Sequence, residues 1–395
     1  MVNTFENACV VEDDVYFFSY EVNGLFKINM KTGKCKYIDS LKKYDNKVRL
    51  FGDLTYVNNK IILAPTAADD FVVYDLEKRV EKYIPVQSCK RSYCDECKFF
   101  AVIPYGIEVY FVGCYYPAIV KLNLLTNEVV YYTDWLEEVI EEGHILFRHD
   151  YHVENDKIFL ACSWTNKIMS FDMKNGTSSF FEVGSKERKF AGIVYGNGVY
   201  WLIPLCDNIV VKWNRTKKCC DEIVIRRDLE NVKYGLSYAQ SFLVGHYIVM
   251  LPLYVYPVCI IDMNTGKMKT INLEEIVNGN YEMISPIRGG FIYKDCLYII
   301  NSFNSKIYFY DLNKEYFIET LWNSSEAYKE FFLNEEIKYR WKNRFDKFVV
   351  ECPENDLNVL TKVMQGKLLD ELKKNNKEKN LIGKKVFKRI LNFGK

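Results

Sequence analysis

Three of the four histidines, His144, His149 and His152, fall close together, and Asp150 sits among them. Residues two apart in an extended segment share a face, so Asp150 and His152 point the same way if this stretch is a strand. A carboxylate beside an imidazole is an acid–base or metal-binding pair; the plainer reading is a strand entry with structural histidines. His149, Asp150 and His152 are therefore the catalytic candidates if the chain is an enzyme. No Ser–His–Asp order, Walker loop, dinucleotide fingerprint or H-E-x-x-H accompanies them. The balance leans to a protein that binds without catalysing.

Cys89, Cys94 and Cys97 stand at C-x4-C-x2-C spacing, with Cys114 in the next expected loop. Four thiolates suffice for a tetrahedral structural zinc. Only one C-x2-C pair is present, however, and Lys90, Arg91 and Lys98 crowd it, so free thiols and no cofactor are the other reading. The 13 cysteines form no paired framework, which points to a reducing cytoplasm. Met1–Asp14 holds four acidic residues and no basic one, unlike an export signal.

A second set of candidates is suited to binding. Arg49, Lys98, Arg148, Lys189 and Arg288 each lie near the start of an expected strand. Arranged round one opening, they would focus field on an anionic ligand; scattered, they are solvated surface cations. Tyr116, Trp164, Tyr254 and Tyr256 fall in expected loops. There, flat rings with polar tips suit peptides and glycans. With 30 Tyr and 26 Phe in the chain, some loop aromatics arise by chance. The partners expected are a protein segment or a glycan.

The elements that must position these residues come from a repeat. An apolar strand, a polar turn, a second strand, a loop and a third strand ending in Asp or Asn recur, followed by a turn and a fourth strand. The closing Asp or Asn falls at Asn29, Asp75, Asn123, Asp172, Asn214, Asp262 and Asp311. Second strands often end in proline, at Pro65, Pro204 and Pro252. Units of roughly 40–50 residues with four strands each are the mark of a β-propeller. Each sheet is apolar on both faces, and a ring of sheets covers both. The prediction is an all-β, seven-bladed propeller of four-stranded antiparallel blades over 1–322. The first unit has its own inner strand at Ala8–Val11 and the last its outer one at Tyr316–Trp322, so closure needs no strand exchange.

The strand–Asp–turn–Gly–strand unit resembles the repeats of quinoprotein-like, kelch-like and related propellers over residues 1–322. The resemblance implies the fold and carries no active site with it. Kelch repeats hold a double glycine in each blade, and here only Gly289-Gly290 offers one.

After Trp322 the period stops. Asn323 and Glu326 have the spacing of a capping box, and residues 324–350 read as helix. A break at Cys352-Pro353 follows, then a leucine-rich helical stripe, so 323–372 is expected to be a helical extension docked on the propeller. Nine of the 53 Lys and Arg and one of the 52 Asp and Glu lie in residues 373–395, giving that tail +8 and the remainder −7. As a helix, 381–393 is amphipathic, with Lys384, Lys385, Lys388 and Arg389 on its polar half. Such a segment suits peripheral contact with the anionic inner membrane surface or docking on the acidic body. Without interleaved stacking aromatics, nucleic acid is disfavoured.

Overall fold

A computed structural model describes residues 5–342 except 6, 21, 45–47, 90–96, 140–144, 206, 226–237, 255, 278–284, 302–305, 312–313, 321 and 323–324. The side chains of residues 288, 325, 328 and 336–342 are also outside the description. Cys94, His144, the expected cap at Asn323, the extension beyond 342 and the whole basic tail therefore lie outside the described residues.

The described strands make seven four-stranded antiparallel sheets, each of four consecutive strands. Blade 2 runs Phe51–Val57, Lys60–Pro65, Asp70–Asp75 and Val80–Pro85. Its second strand buries Ile61, Ile62, Leu63 and Ala64 in succession, because both faces of the sheet are covered and neither can be polar. The chain is a seven-bladed β-propeller.

All seven Asp/Asn markers close third strands, and the reason is local. In every blade the marker's Oδ1 accepts backbone N–H groups two or three residues on. Examples are Lys78 to Asp75 at 2.9 Å, Leu125 to Asn123 at 2.9 Å and Asn264 to Asp262 at 2.8 Å. This turn leaves the residue four after each marker with φ between 52° and 73°. Glycine adopts that left-handed region without penalty, which explains Gly33, Gly176 and Gly266.

The core is distributed as seven separate apolar clusters, one between each pair of adjacent blades. The cluster joining blade 7 to blade 1 contains Phe17, Phe26, Phe291 and Tyr293 and closes the ring. Since the first and last sheets each use only their own strands, side chains make this closure. Tyr293 donates to Asp13 at 2.6 Å and Lys294 reaches the same carboxylate at 3.0 Å. Lys31 first, and then these two partners, hold the Asp13 carboxyl well below its usual range.

The helix Ser325–Lys342 lies over that seam. Ala327 and Phe331 are buried in the closing cluster, Phe331 packs edge-on against Tyr37 at 5.4 Å, and Ser40 donates to Glu335. No helix among the described residues is long and apolar enough to cross a membrane.

Candidate functional site in the central channel

Each blade begins with a deeply buried residue at the entrance of its inner strand: Phe5, Phe51, Phe99, Phe147, Phe190, Tyr238 and Ile287, none more than 2% exposed. In blades 2, 3, 5, 6 and 7 the pairing with the second strand slips just after it, leaving one residue unpaired. Such a bulge re-aims the side chains that follow. Two positions past the anchor stand Asn7, Asp53, Ala101, His149, Gly192, Gln240 and Gly289. Asn7, Asp53, His149 and Gln240 line a cavity of about 510 Å³ inside the ring.

At this level hydrogen bonds cross the channel. Asn7 Nδ2 donates to the Gly52 carbonyl at 2.7 Å and lies 3.0 Å from His149 Nδ1. Gln240 Nε2 donates to Asn7 Oδ1. His149 Nδ1 is also 2.9 Å from the Phe100 carbonyl, and its ring stacks on Phe100 with centroids 4.4 Å apart. The proton on Nδ1 decides whether it donates to Phe100 or accepts from Asn7. Blade 1 neighbours neither blade 4 nor blade 6, so these bonds bridge the lumen.

Two carboxyl groups flank the bridge. Asp53 accepts from the backbone N–H groups of Leu54 and Val102, each at 2.8 Å, tying blade 2 to blade 3. Asp150 accepts from the Ser241 N–H at 3.1 Å and from the Ser241 hydroxyl. To reach blade 6 it passes over blade 5, where a Cβ on Gly192 would lie 2.1 Å from Asp150 Oδ2. Both carboxyls are half-buried on the wall of the cavity.

Burial raises both acids to about 7, against the lowering effect of their hydrogen bonds and, for Asp150, of Arg148. In the unfolded chain an aspartate titrates near 3.8. Between those values the native protein holds protons that the unfolded chain releases. The two groups' contribution to stability therefore falls as pH rises from about 4 to about 7, and is level above that. Urea midpoints measured across this window should decline less for Asp150→Asn than for the unaltered protein. Parallel profiles would show that Asp150 does not titrate there.

Beyond the polar belt, toward the ends of the inner strands, the lining becomes apolar: Val10, Phe242, Leu243, Phe291 and Ile292. Val10, Tyr151 and Leu243 are 36%, 36% and 40% exposed, large surfaces left uncovered inside the ring. His152 stacks on Tyr195 at 4.7 Å and meets Tyr200 edge-on at 5.8 Å. Burial lowers its pKa, and its Nε2 has no hydrogen-bond partner among the described residues.

The catalytic candidates His149, Asp150 and His152 thus all line the cavity, but they turn to different partners. Asp150 is engaged by Ser241, while His149 meets Phe100 and Asn7. The cations take different positions about the strand entrances. Arg49 stands two residues before its blade's entrance anchor, Lys98 and Lys189 one before, and Arg148 and Arg288 one after. Among the described side chains, which leave out that of Arg288, none of these cations lines the cavity. Lys98 is 4% exposed and Tyr116 3%; the Tyr116 hydroxyl donates to the Gln87 carbonyl at 2.7 Å. Lys189 and Trp164 are brought together, Nζ lying 4.7 Å above the ring, and Tyr254 and Tyr256 meet edge-on at 6.4 Å. Cys114 is buried, Cys89 packs on an apolar cluster, and no group of three or more metal-ligating side chains occurs among the described residues. Asn7, Asp53, Gln240 and Ser241 were not among the sequence candidates. Their signal is the apolar anchor two residues earlier, repeating with the blade.

No protein-family model matches the sequence, and no curated protein matches it. Among solved structures the chain is similar to a streptogramin B lyase, at 13% identity and TM-score 0.58, over 78% of this chain and 93% of that one. It is also similar to virginiamycin B lyase from Staphylococcus aureus, at 12% identity and TM-score 0.57, over 76% and 92%. A third is PorZ, a bacterial surface component of the type-IX secretion system of Porphyromonas gingivalis, at 9% identity and TM-score 0.52, over 81% of this chain and 38% of PorZ. At such identities the likeness is one of fold.

Proposed function

We propose that the chain is a binding propeller whose ligand enters the central channel from the face where the inner strands end. The observation that carries this reading is the one-sided cavity. A hydrogen-bonded belt from Asn7 to His149 and Gln240 bridges one level, and uncovered apolar side chains lie beyond it. About 510 Å³ lies within the range of small-molecule sites, which combine apolar walls with a few convergent polar groups. A compact molecule, or the end of a partner's chain, fits that description. The loop face supports binding less strongly, since Lys98 and Tyr116 are buried and Lys189 is already held over Trp164. The tail's charge supports a role in carrying the propeller to an anionic lipid surface or in docking on its acidic body.

Calorimetry with three small probes, 2-phenylethylammonium, 2-phenylethanol and phenylacetate, tests the site. Leu243→Trp, which fills the apolar end, should weaken the tightest-binding probe roughly tenfold or more, by loss of the pocket it occupies. Trp164→Ala on the loop face should leave that affinity unchanged. The reverse pattern would move the site to the loop face.

A further inference from the structure

Resting on the channel as the binding site, the geometry points to a ligand that carries a primary ammonium group, seated among Gln240, Asp53 and Asp150 with its apolar body against the walls.

The Gly52 oxygen can only accept, so Asn7 must present its Nδ2 there. Asn7 Oδ1 is then turned to Gln240, which must present its Nε2. Gln240 Oε1 is thereby left as an acceptor. It is buried, in a residue only 5% exposed, and has no hydrogen-bond partner among the described residues. A buried acceptor without a donor is costly, and a ligand that donates there removes the cost.

The surroundings select the kind of donor. Among the described side chains the lining contains Asp53 and Asp150 and no Lys or Arg, and neither carboxyl forms an ion pair among the described residues. Arg148 faces Asp150, while Cys9 and Tyr151 face Asp53. His149 and His152 complete the titratable lining. Each carboxylate oxygen keeps a lone pair beyond the bond it already accepts. An anionic head would meet carboxyl groups with no cation among the described lining residues to offset them. A hydroxyl has one proton to give. An ammonium has three, and its charge favours ionised aspartates. The absence of a metal-ligating group of three among the described residues favours an organic cation over a metal ion.

The same three probes, titrated calorimetrically into the full chain, test the head group. At about pH 8, 2-phenylethylammonium should bind roughly tenfold or more tightly than 2-phenylethanol, the scale of a close charge pair. At about pH 6 that preference should shrink, because both aspartates gain protons while an alkylammonium stays charged. Asp150→Asn should also shrink it, leaving the affinity for the alcohol in place. The pH comparison uses the unaltered protein and so does not depend on the variant's folding. The assignment is overturned if the alcohol or the carboxylate binds as tightly as the ammonium, if pH leaves the preference unchanged, or if the ammonium fails to bind at millimolar concentration. In the first two cases, loss of binding in Leu243→Trp would still uphold the channel. A Leu243→Trp protein that binds its probe normally would sink the channel itself, whatever the order of the three.

Discussion

Gly192→Ala is expected to destabilise the protein by about 3–5 kcal/mol, from the loss of charge-assisted hydrogen bonds and the strain of overpacking. A methyl group is normally a small change in a strand and favours it. Here the added Cβ would fall 2.1 Å from Asp150 Oδ2 and 2.8 Å from its Cβ. Asp150 has a short side chain anchored in blade 4 and cannot swing aside while keeping both bonds from Ser241. Moving it leaves the N–H and hydroxyl of Ser241 without an acceptor and strips the contact between blades 4 and 6. A double-mutant cycle isolates the cause. Once Asp150→Ala has removed the obstacle, adding Gly192→Ala should cost little, giving a coupling of about 2 kcal/mol or more. Additive denaturation free energies would mean that the glycine is needed for some other reason. Far-UV circular dichroism should retain its strand content, because the sheet pairing of blade 5 is not the part that fails.

Phe331→Ala is the second large effect, with an expected loss of about 3 kcal/mol or more for removing a buried aromatic side chain. Phe331 contacts Tyr37, Phe26 and Phe332, and with Ala327 it fills the cluster that joins blades 7 and 1. A propeller whose first and last sheets exchanged a strand would hold this seam by backbone hydrogen bonds. This one relies on side chains, on Tyr293 and Lys294 at Asp13, and on the overlying helix. Truncation of Phe331 should release the helix before the ring opens. Amide exchange is therefore expected to accelerate first in Ser325–Lys342 and in the outer strand Lys34–Asp39, with blades 3 to 5 still protected. An unchanged melting temperature, or uniform acceleration in every blade, would show that the helix is no latch.

The number of blades and their strand order could be read from the chain because their causes are local. An Asp or Asn at the end of a third strand ties its own turn with N–H groups two and three residues away, so its spacing marks each blade. Blade 2 illustrates the precision: its second strand ends at Pro65 and its third at the marker Asp75, both as expected. The cations near the strand starts were legible as residues but not as an arrangement. The entrance anchor separates Lys98 and Lys189, which precede it in the chain, from Arg148 and Arg288, which follow it.

Composition and period, then, by themselves determined an all-β ring of seven sheets, because a sheet oily on both faces has to be covered on both. They also marked His149, Asp150 and His152 as chemically capable. Only the closed ring decided what surrounds those residues. Asn7 and His149 are 142 positions apart, and Asn7 and Gln240 are 233 apart. No local rule joins such positions; they meet because seven inner strands converge on one axis. That convergence also places two aspartates where burial lifts them to about 7, since the depth of a channel is a property of the whole ring and of no single blade.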